Sequence, residues 1–250
     1  MVTRDALVSY LDEFLEIPSF DDYSNNGLQV EGVGQISRVA FAVDAAKPAI
    51  DEAIERGAQM LIVHHGLFWG KVELLRGPMA RKIRVMMLHG LSLYAAHLPL
   101  DAHPEVGNNV QLARLIGMEV EGWWGQEKGR LLGVKGTIAP VEREKLVEKL
   151  ANALNSNPAL MPYGPEKSEK VCIVSGLAAS WVGEAAAAGC DTFITGERSH
   201  AHYYAPMDYG INVIYAGHYA TETVGLKALQ KHLEERFDLT TTFIDLPTGL

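Results

Sequence analysis

The sequence predicts an α/β fold with two related α/β domains from an internal duplication, in which mostly parallel sheets carry flanking helices. Apolar runs of about five or six residues alternate with amphipathic stretches, which is typical of parallel βαβ crossovers. The order strand, helix, strand, helix, strand occurs twice, and polar residues follow the strands at matching positions in both copies. A chain of 250 residues can bury such a core as one large or two modest domains.

The two copies keep a constant register through their first three elements. The first comprises RVAFAVD from Arg38, the helical AKPAIDEAIERG, and the strand MLIVHHG. The second comprises KVCIVSG from Lys170, the helical ASWVGEAAAAG, and the strand TFITGE. Further along each copy, LYAAHLPLD answers IYAGHYATE. The aligned pairs are Gly57 with Gly189, His65 with Glu197, His97 with His218, and Asp101 with Glu222.

The domain change is predicted near Gly122 to Gly129, where glycines cluster around two tryptophans. The first domain is expected to comprise residues 1–125 plus about 210–250, and the second about 126–209. A metal site is expected where the two domains meet, and the first domain carries His64, His65 and Asp101. The last strand, TTTFIDL, pairs either with the first sheet or across a subunit interface.

Composition and charge exclude several functional classes. The chain has 22 Lys plus Arg against 31 Asp plus Glu, and its net charge of -9 disfavours broad electrostatic binding to nucleic acid. A nucleotide substrate stays open, because metal ions neutralise acidic charge locally. The amphipathic N-terminal helix does not resemble a signal sequence, and no apolar run approaches the roughly 18 residues of a membrane span. Cys172 and Cys190 lack a C-x-x-C partner, which predicts buried free thiols in a reducing compartment. Together, these features predict a cytoplasmic protein without membrane contacts.

Metal-type side chains collect at the predicted ends of strands. They are the pair His64 and His65, the H-x-x-x-D motif of His97 and Asp101, and the H-x-x-x-E motif of His218 and Glu222. Imidazole with carboxylate is typical of sites for zinc, iron, manganese or nickel, whereas calcium and magnesium favour oxygen alone. Adjacent strand residues point in different directions, so the two neighbouring histidines suit two nearby ions, which Glu222 can bridge.

Each of these residues also has an ordinary structural interpretation. A single histidine at a strand end is more often a hydrogen-bonded structural residue than a ligand. Asp101 suits a turn or a helix start, and Glu222 suits the first turn of a helix. Their convergence on strand ends of one repeated unit favours a metal site. The sequence contains none of the motifs typical of phosphate loops, dinucleotide turns, zincin helices or hydrolase elbows.

The segments SNNGLQVEG, IVHHG, HLPLDAHPEVGNN, ITGE and AGHYATE resemble the signatures of the Nif-three-like family, which is also known as the GTP cyclohydrolase 1 type 2 family. The resemblance covers essentially the whole chain and fits the short bacterial form. It implies a toroidal homohexamer with two divalent transition-metal ions per subunit facing the central cavity. By matching motif, it implies that His64, Asp101 and Glu222 hold one ion, and that His65, His218 and Glu222 hold the other.

The resemblance also implies an activity. Two ions about 3.5 to 4 Å apart typically activate water and polarise a substrate, so hydrolysis is the natural chemistry. The implied reaction is a cyclohydrolase acting on GTP or a related purine nucleotide, in which hydroxide attacks C8 of guanine, the ring opens and formate leaves. His97 is the candidate proton donor or acceptor, and Glu197 the candidate base or water-orienting group. Both residues alternatively support the metal ligands.

Two other functions remain open from the sequence. A phosphoesterase acting on nucleotides or damaged nucleotides would use the same ions and would need nearby positive charge. The candidates for that charge are Lys71, Arg76 and Arg198. The non-enzymatic alternative is a metal-loaded ring that binds partners or ions without turnover.

Overall fold

Short buried apolar runs form the strands, and amphipathic stretches form the helices. These bounds come from a computed structural model, which describes residues 1–71 and 74–250. The helices are α1 (Arg4–Phe14), α2 (Lys47–Glu55), α3 (Gly77–Leu88), α4 (Leu98–Asp101), α5 (Asn108–Ile116), α6 (Arg143–Leu154), α7 (Val182–Ala187), α8 (Ala205–Tyr209) and α9 (His218–Arg236). The strands are β1 (Val2–Thr3), β2 (Gly27–Val30), β3 (Gln35–Ile36), β4 (Arg38–Asp44), β5 (Met60–His65), β6 (Ser92–Ala95), β7 (Glu119–Glu127), β8 (Arg130–Glu142), β9 (Ala159–Pro162), β10 (Lys167–Ile173), β11 (Thr192–Thr195), β12 (Asn212–Tyr215) and β13 (Thr240–Phe243). Among the described helices, none combines the length and the apolar character that crossing a membrane requires.

The chain divides into two compact units. Unit 1 comprises Met1–Leu100 and Leu226–Leu246, and unit 2 comprises Asp101–Gly225 and Pro247–Leu250. This division differs from the expected one, which placed residues 101–125 and about 210–225 in the first domain. Strand pairing explains the difference, because β7 pairs with β8 and β12 pairs with β11, all within unit 2.

Unit 1 contains a five-stranded sheet in the order β13-β4-β5-β6-β2. The strands β13, β4, β5 and β6 run parallel, and β2 lies antiparallel to β6. The last strand therefore returns to the first sheet, one of the two pairings left open by the sequence. Helices α2 and α3 bury Ile50 and Met86 in a cluster with Leu61 and Val63 of β5, so the ends of the parallel strands are held by a packed core.

Unit 2 contains a six-stranded sheet in the order β7-β8-β10-β11-β12-β9. Its three central strands, β10, β11 and β12, are parallel. Leu146 and Leu150 of α6 pack in one cluster with Ile194 and Ile214 of the sheet. A second cluster joins Val182 of α7 to other residues of the same strands, and the helices thus flank a buried parallel core.

The strand arrangement is consistent with the internal duplication. In each unit, three parallel strands carry the repeated sequence: β4, β5 and β6, then β10, β11 and β12. In each unit, a strand that precedes them along the chain pairs antiparallel with the third strand, β2 with β6 and β9 with β12. The repeated unit therefore includes one strand more than the sequence alignment covers. The predicted α/β fold class is confirmed.

The expectation of free thiols is wrong. Cys172 of β10 and Cys190, which follows α7, form a disulfide with their Cα atoms 6.0 Å apart. The pairing is tertiary, because the turn after α7 brings Cys190 beside the neighbouring strand. The absence of a C-x-x-C spacing carries no information about such a contact.

Candidate metal centre

Three histidines of unit 1 converge at the ends of two neighbouring parallel strands. His64 and His65 are the last two residues of β5, and His97 follows β6. The ring centroids are 4.7 Å apart for His64 and His65, 5.0 Å for His64 and His97, and 5.7 Å for His65 and His97. One ring nitrogen of each lies within 4.8 Å of the others, so the three imidazoles could hold a metal ion. His97, expected to act without binding metal, is thus a candidate ligand as well.

Each of these rings is oriented through its Nδ1 atom. The partners are Ala96 O at 2.9 Å from His64 Nδ1, Asp44 Oδ1 at 2.9 Å from His65 Nδ1, and Asp22 Oδ1 at 2.8 Å from His97 Nδ1. All three partners are oxygen acceptors, which favour the tautomer with the proton on Nδ1. Nε2 is then the nitrogen that each ring offers to a metal, as in carboxylate–histidine–metal arrangements.

The turn-rich segment of residues 21–26, which precedes β2, positions His97. The Asp22 side chain is 1% exposed and also accepts hydrogen bonds from Leu98 N at 3.0 Å and Asn26 Nδ2 at 2.8 Å. Asn26 Oδ1 in turn accepts a hydrogen bond from His97 N at 2.8 Å. Burial raises the pKa of Asp22, but the hydrogen bond and charge of His97, together with bonds from Asn26 and Ser24, outweigh it and lower that pKa. The segment therefore holds the His97 ring in place, in addition to connecting α1 to β2.

Unit 2 carries a second group of imidazole and carboxylate. His218 begins α9 and Glu222 follows one turn later, with His218 Nε2 3.1 Å from Glu222 Oε1. His218 Nδ1 lies 2.7 Å from Glu197 Oε2, just after β11. Glu197 therefore contacts a candidate ligand directly. This contact fits the alternative role for Glu197, which is to support a metal ligand and not to act as a base.

Gly176 leaves room for the Glu222 carboxylate. Its φ is +63°, and a Cβ at this position would overlap Glu222 Oε1 and lie 3.3 Å from His218 Nε2. The backbone here is fixed, because Gly176 N donates to Thr221 Oγ1 at 3.1 Å and Gly176 O accepts from Glu197 N at 2.9 Å. The buried carboxylate of Glu222, a residue that is 3% exposed, thus lies against the His218 imidazole in a space that only a glycine at position 176 leaves open.

Asp101 ends α4 and is buried within unit 2. Its Oδ1 accepts hydrogen bonds from Asn108 Nδ2 at 2.8 Å and from Ser175 Oγ at 2.9 Å. These bonds fix the plane of the carboxylate, and Asn109 ties the adjacent backbone by donating to Asp101 O at 3.2 Å. The donor chemistry of both units fits a borderline transition metal, since buried carboxylates and Nδ1-anchored imidazoles are its usual ligands.

Metal uptake is expected to release protons near neutral pH. Burial lowers the pKa of His218, but the hydrogen bonds and charges of Glu222 and Glu197 outweigh it and raise that pKa to about 9. The charged imidazole stabilises the metal-free fold fully below the ordinary histidine pKa of 6.5, and this contribution is lost as pH rises through about 9. A metal needs the neutral ring, so zinc affinity rises with pH up to about 9 and then levels off.

Titration calorimetry of metal-free protein with zinc, in buffers of different ionisation enthalpy, measures this proton release. Glu197→Gln removes one of the two carboxylates that raise the pKa, so the levelling should move to lower pH. A zinc affinity that is flat between about pH 7 and about 9 would contradict the role of His218 as a ligand.

Asp44→Asn is expected to weaken zinc binding by about 10- to 100-fold, because Asp44 holds Nδ1 of His65 and favours its ligating tautomer. The free energy of unfolding of the metal-free protein should change little, since the carboxylate is partly exposed. Competition with a chromophoric chelator measures the affinity. Asp51→Asn, at a partly exposed position of α2 where the carboxylate pairs with Lys47, is the matched control and should leave the affinity unchanged. Equal affinities in the two variants would show that Asp44 does not act on the metal.

Comparisons with known proteins agree over the full chain. The profile of the family described as Duf34/NIF3 (NGG1p interacting factor 3) matches residues 2–248. A Pyrococcus horikoshii protein named GTP cyclohydrolase 1 type 2 homolog is 44% identical over 253 residues, which cover 99% of both chains. The solved structure of a protein named ybgI, of unknown function, has a TM-score of 0.94 and 36% identity over 100% of both chains. The structure of a Thermus thermophilus protein, TTHA1606, has a TM-score of 0.91 and 42% identity, again over 100% of both chains.

Proposed function

The chain belongs to the Duf34/NIF3 family, and from this premise we propose that it is a dinuclear metal-dependent hydrolase that acts on a purine nucleotide. The observation that carries the proposal is that His64 and His65, two of the proposed ligands, are each anchored through Nδ1 to an oxygen, and that the equally anchored ring of His97 lies 5.0 Å from that of His64. The name GTP cyclohydrolase 1 type 2 homolog, borne by relatives, supports the choice of substrate class and of ring-opening chemistry.

The proposed ligand assignment follows the family resemblance. His64, Asp101 and Glu222 hold one ion, and His65, His218 and Glu222 hold the other. The anchoring of His65 by Asp44 supports the assignment, because a metal site needs ligands that are already oriented. When bound, the ions would supply Lewis-acid activation of water and substrate.

The remaining residues position the ligands and move the proton. We propose that His97 exchanges a proton with the substrate through Nε2, since Asp22 occupies its Nδ1. Glu197 acts on His218, whose ring it orients, rather than on the substrate. Asn108 and Ser175 keep the Asp101 carboxylate in one plane. The chain thus supplies orientation and proton transfer around the ions.

The ring-shaped homohexamer implied by the resemblance is part of this proposal. Closed point-group symmetry is the usual way in which identical subunits assemble. Light scattering on the purified protein should then give a mass about six times that of the 27.3 kDa chain.

The activity is tested by incubating metal-reconstituted protein with a panel of purine nucleotides. The expected result is formate release from GTP or a related guanine nucleotide, equimolar with the loss of the intact ring. His97→Gln should retain bound metal and lose most of the turnover, because it removes the group that moves the proton. Absence of turnover across the panel in protein with its full metal content would overturn the enzymatic proposal and favour a metal-loaded binding protein.

A phosphoesterase is the second candidate, and one observation favours it. Lys71 is exposed two residues beyond Trp69, whose indole lies 5.1 Å from the His97 ring, and could receive a phosphate. The same nucleotide panel separates the two activities. Inorganic phosphate without formate would identify the phosphoesterase, and Lys71→Gln should then raise the KM.

A further inference from the structure

A large aromatic side chain stands beside the histidines of unit 1 and stays open to solvent. Trp69 is one of the exposed large hydrophobic residues, with 38% of its surface open to solvent, whereas tryptophan is highly buried on average. Its ring centroid lies 5.1 Å from that of His97 at an interplanar angle of 74°, and 5.8 Å from that of His65 at 47°. The edge-to-face contact with His97 occupies at most one face of the indole. An apolar ring surface therefore borders the candidate ligands.

The indole is fixed in this position by its own hydrogen bond. Trp69 Nε1 donates to Gly66 O at 3.0 Å, one residue after His65. Gly66 in turn has no room for a side chain, because a Cβ there would lie 2.5 Å from Gln29 Oε1 and 2.7 Å from Ala95 Cβ. The ring thus has a defined orientation relative to the end of β5.

The backbone around the indole is tied to the turn-rich segment that holds His97. Asn25 N donates to Phe68 O at 3.0 Å, and Gly70 N donates to Asn25 Oδ1 at 3.1 Å. Leu67 N donates to Gln29 Oε1 at 2.7 Å. Bonds on both sides of Trp69 therefore pre-organise an exposed aromatic surface, and binding a ligand there costs little ordering entropy.

We propose that Trp69 is the stacking surface for a planar heteroaromatic ring of the substrate, held beside His65 and His97. This inference rests on the proposed function and deepens it, because it assigns recognition of a purine-like base to one residue. Every flat heterocycle has a π-face, so stacking selects for an aromatic ring without choosing among bases. Ribose and phosphate groups offer no such face, and Trp69 should not discriminate between molecules that differ only in those groups.

The test compares GMP with ribose 5-phosphate, which keeps the sugar and phosphate but lacks the base. Binding of each to zinc-reconstituted protein is measured by equilibrium dialysis, independently of turnover. Trp69→Leu should weaken GMP binding by about 5- to 100-fold and leave ribose 5-phosphate unchanged. Trp69→Phe keeps an aromatic face and should retain most of the affinity. Tyr204→Leu, at a 65% exposed aromatic position of unit 2, is the control and should bind GMP like the wild type.

The outcomes separate the stacking inference from the hydrolase proposal. Equal GMP affinity in Trp69→Leu and wild type, or no GMP binding by wild type, would overturn the stacking inference, while formate release by wild type would still support the hydrolase. Loss of GMP affinity in Trp69→Leu, at unchanged zinc content and melting temperature, would support stacking even if no nucleotide were turned over. Equal weakening of GMP and ribose 5-phosphate would also overturn it, because the indole would then act on the whole site.

Discussion

Glu222→Gln is expected to weaken zinc binding by more than about 100-fold and to abolish turnover. The neutral amide keeps the shape of the side chain but loses the charge with which one carboxylate is proposed to bridge two ions. Glu222 is buried against His218, so water does not replace the lost oxygen ligand easily. Competition with a chromophoric chelator measures affinity, and formate release measures turnover.

The control for this variant lies on the same helix. Glu235→Gln changes an exposed carboxylate of α9 that pairs with Lys231, and it should leave both affinity and turnover at wild-type values. If Glu222→Gln bound zinc as tightly as Glu235→Gln, then Glu222 would be a structural residue, and the dinuclear assignment would fail.

Gly176→Ala is expected to weaken metal binding while the protein stays folded. A methyl group there overlaps the Glu222 carboxylate, so the carboxylate must leave its position beside His218. The left-handed backbone adds roughly 1–2 kcal/mol of strain in the free energy of unfolding. We expect zinc affinity to fall by more than about tenfold. Loss of a group that only orients a metal ligand already lowers metal affinity by about that much, and Glu222 is a proposed ligand itself.

A second glycine separates the loss of metal affinity from the strain in the backbone. Gly210 has the same φ of +63°, and nothing lies within 4 Å of the place where its Cβ would be. Gly210→Ala should therefore lose the same roughly 1–2 kcal/mol of stability and keep the wild-type zinc affinity. Urea unfolding and chelator competition on both variants give the comparison. Equal zinc affinities would mean that Gly176 matters only for the backbone.

Local patterns in the sequence were sufficient to predict the fold class and the candidate donors. Alternating apolar runs marked the parallel strands, and the similarity of LYAAHLPLD to IYAGHYATE placed His97 and His218 at matching strand ends. The spacing of His218 and Glu222 is one helical turn, and the structure has them on one face of α9. These features depend on residues close together in the chain, where periodicity is informative.

Non-local contacts could not be predicted in the same way. Asp22 and Asp44 reach the histidines across 75 and 21 residues of sequence, and no spacing rule connects such pairs. The disulfide of Cys172 and Cys190 depends on how a helix returns to its strand. The only available signal for Asp22 was the unusual turn-rich segment in which it lies. No sequence pattern indicated a role for Trp69, because that role depends on which rings lie beside it in the fold.

The expected division of the chain differs from the two compact units for a related reason. The glycine cluster of residues 122–129 was expected to mark the change of domain, but these residues lie in and between the paired strands β7 and β8. Glycine in a strand often marks a bulge or a close backbone approach. Gly136 illustrates this, because a Cβ there would collide with the backbone of Glu119 in the neighbouring strand.

The number of metal ions per chain tests the central claim most directly. Wild-type protein purified without chelator or metal-affinity resin, then reconstituted and desalted, should contain about two zinc, iron, manganese or nickel ions per chain by elemental analysis. That result would establish a dinuclear centre, in which the proposed ligands can then be tested one by one. Metal well below one ion per chain after reconstitution would contradict the account, and the anchored histidines would then be structural residues of the two sheets.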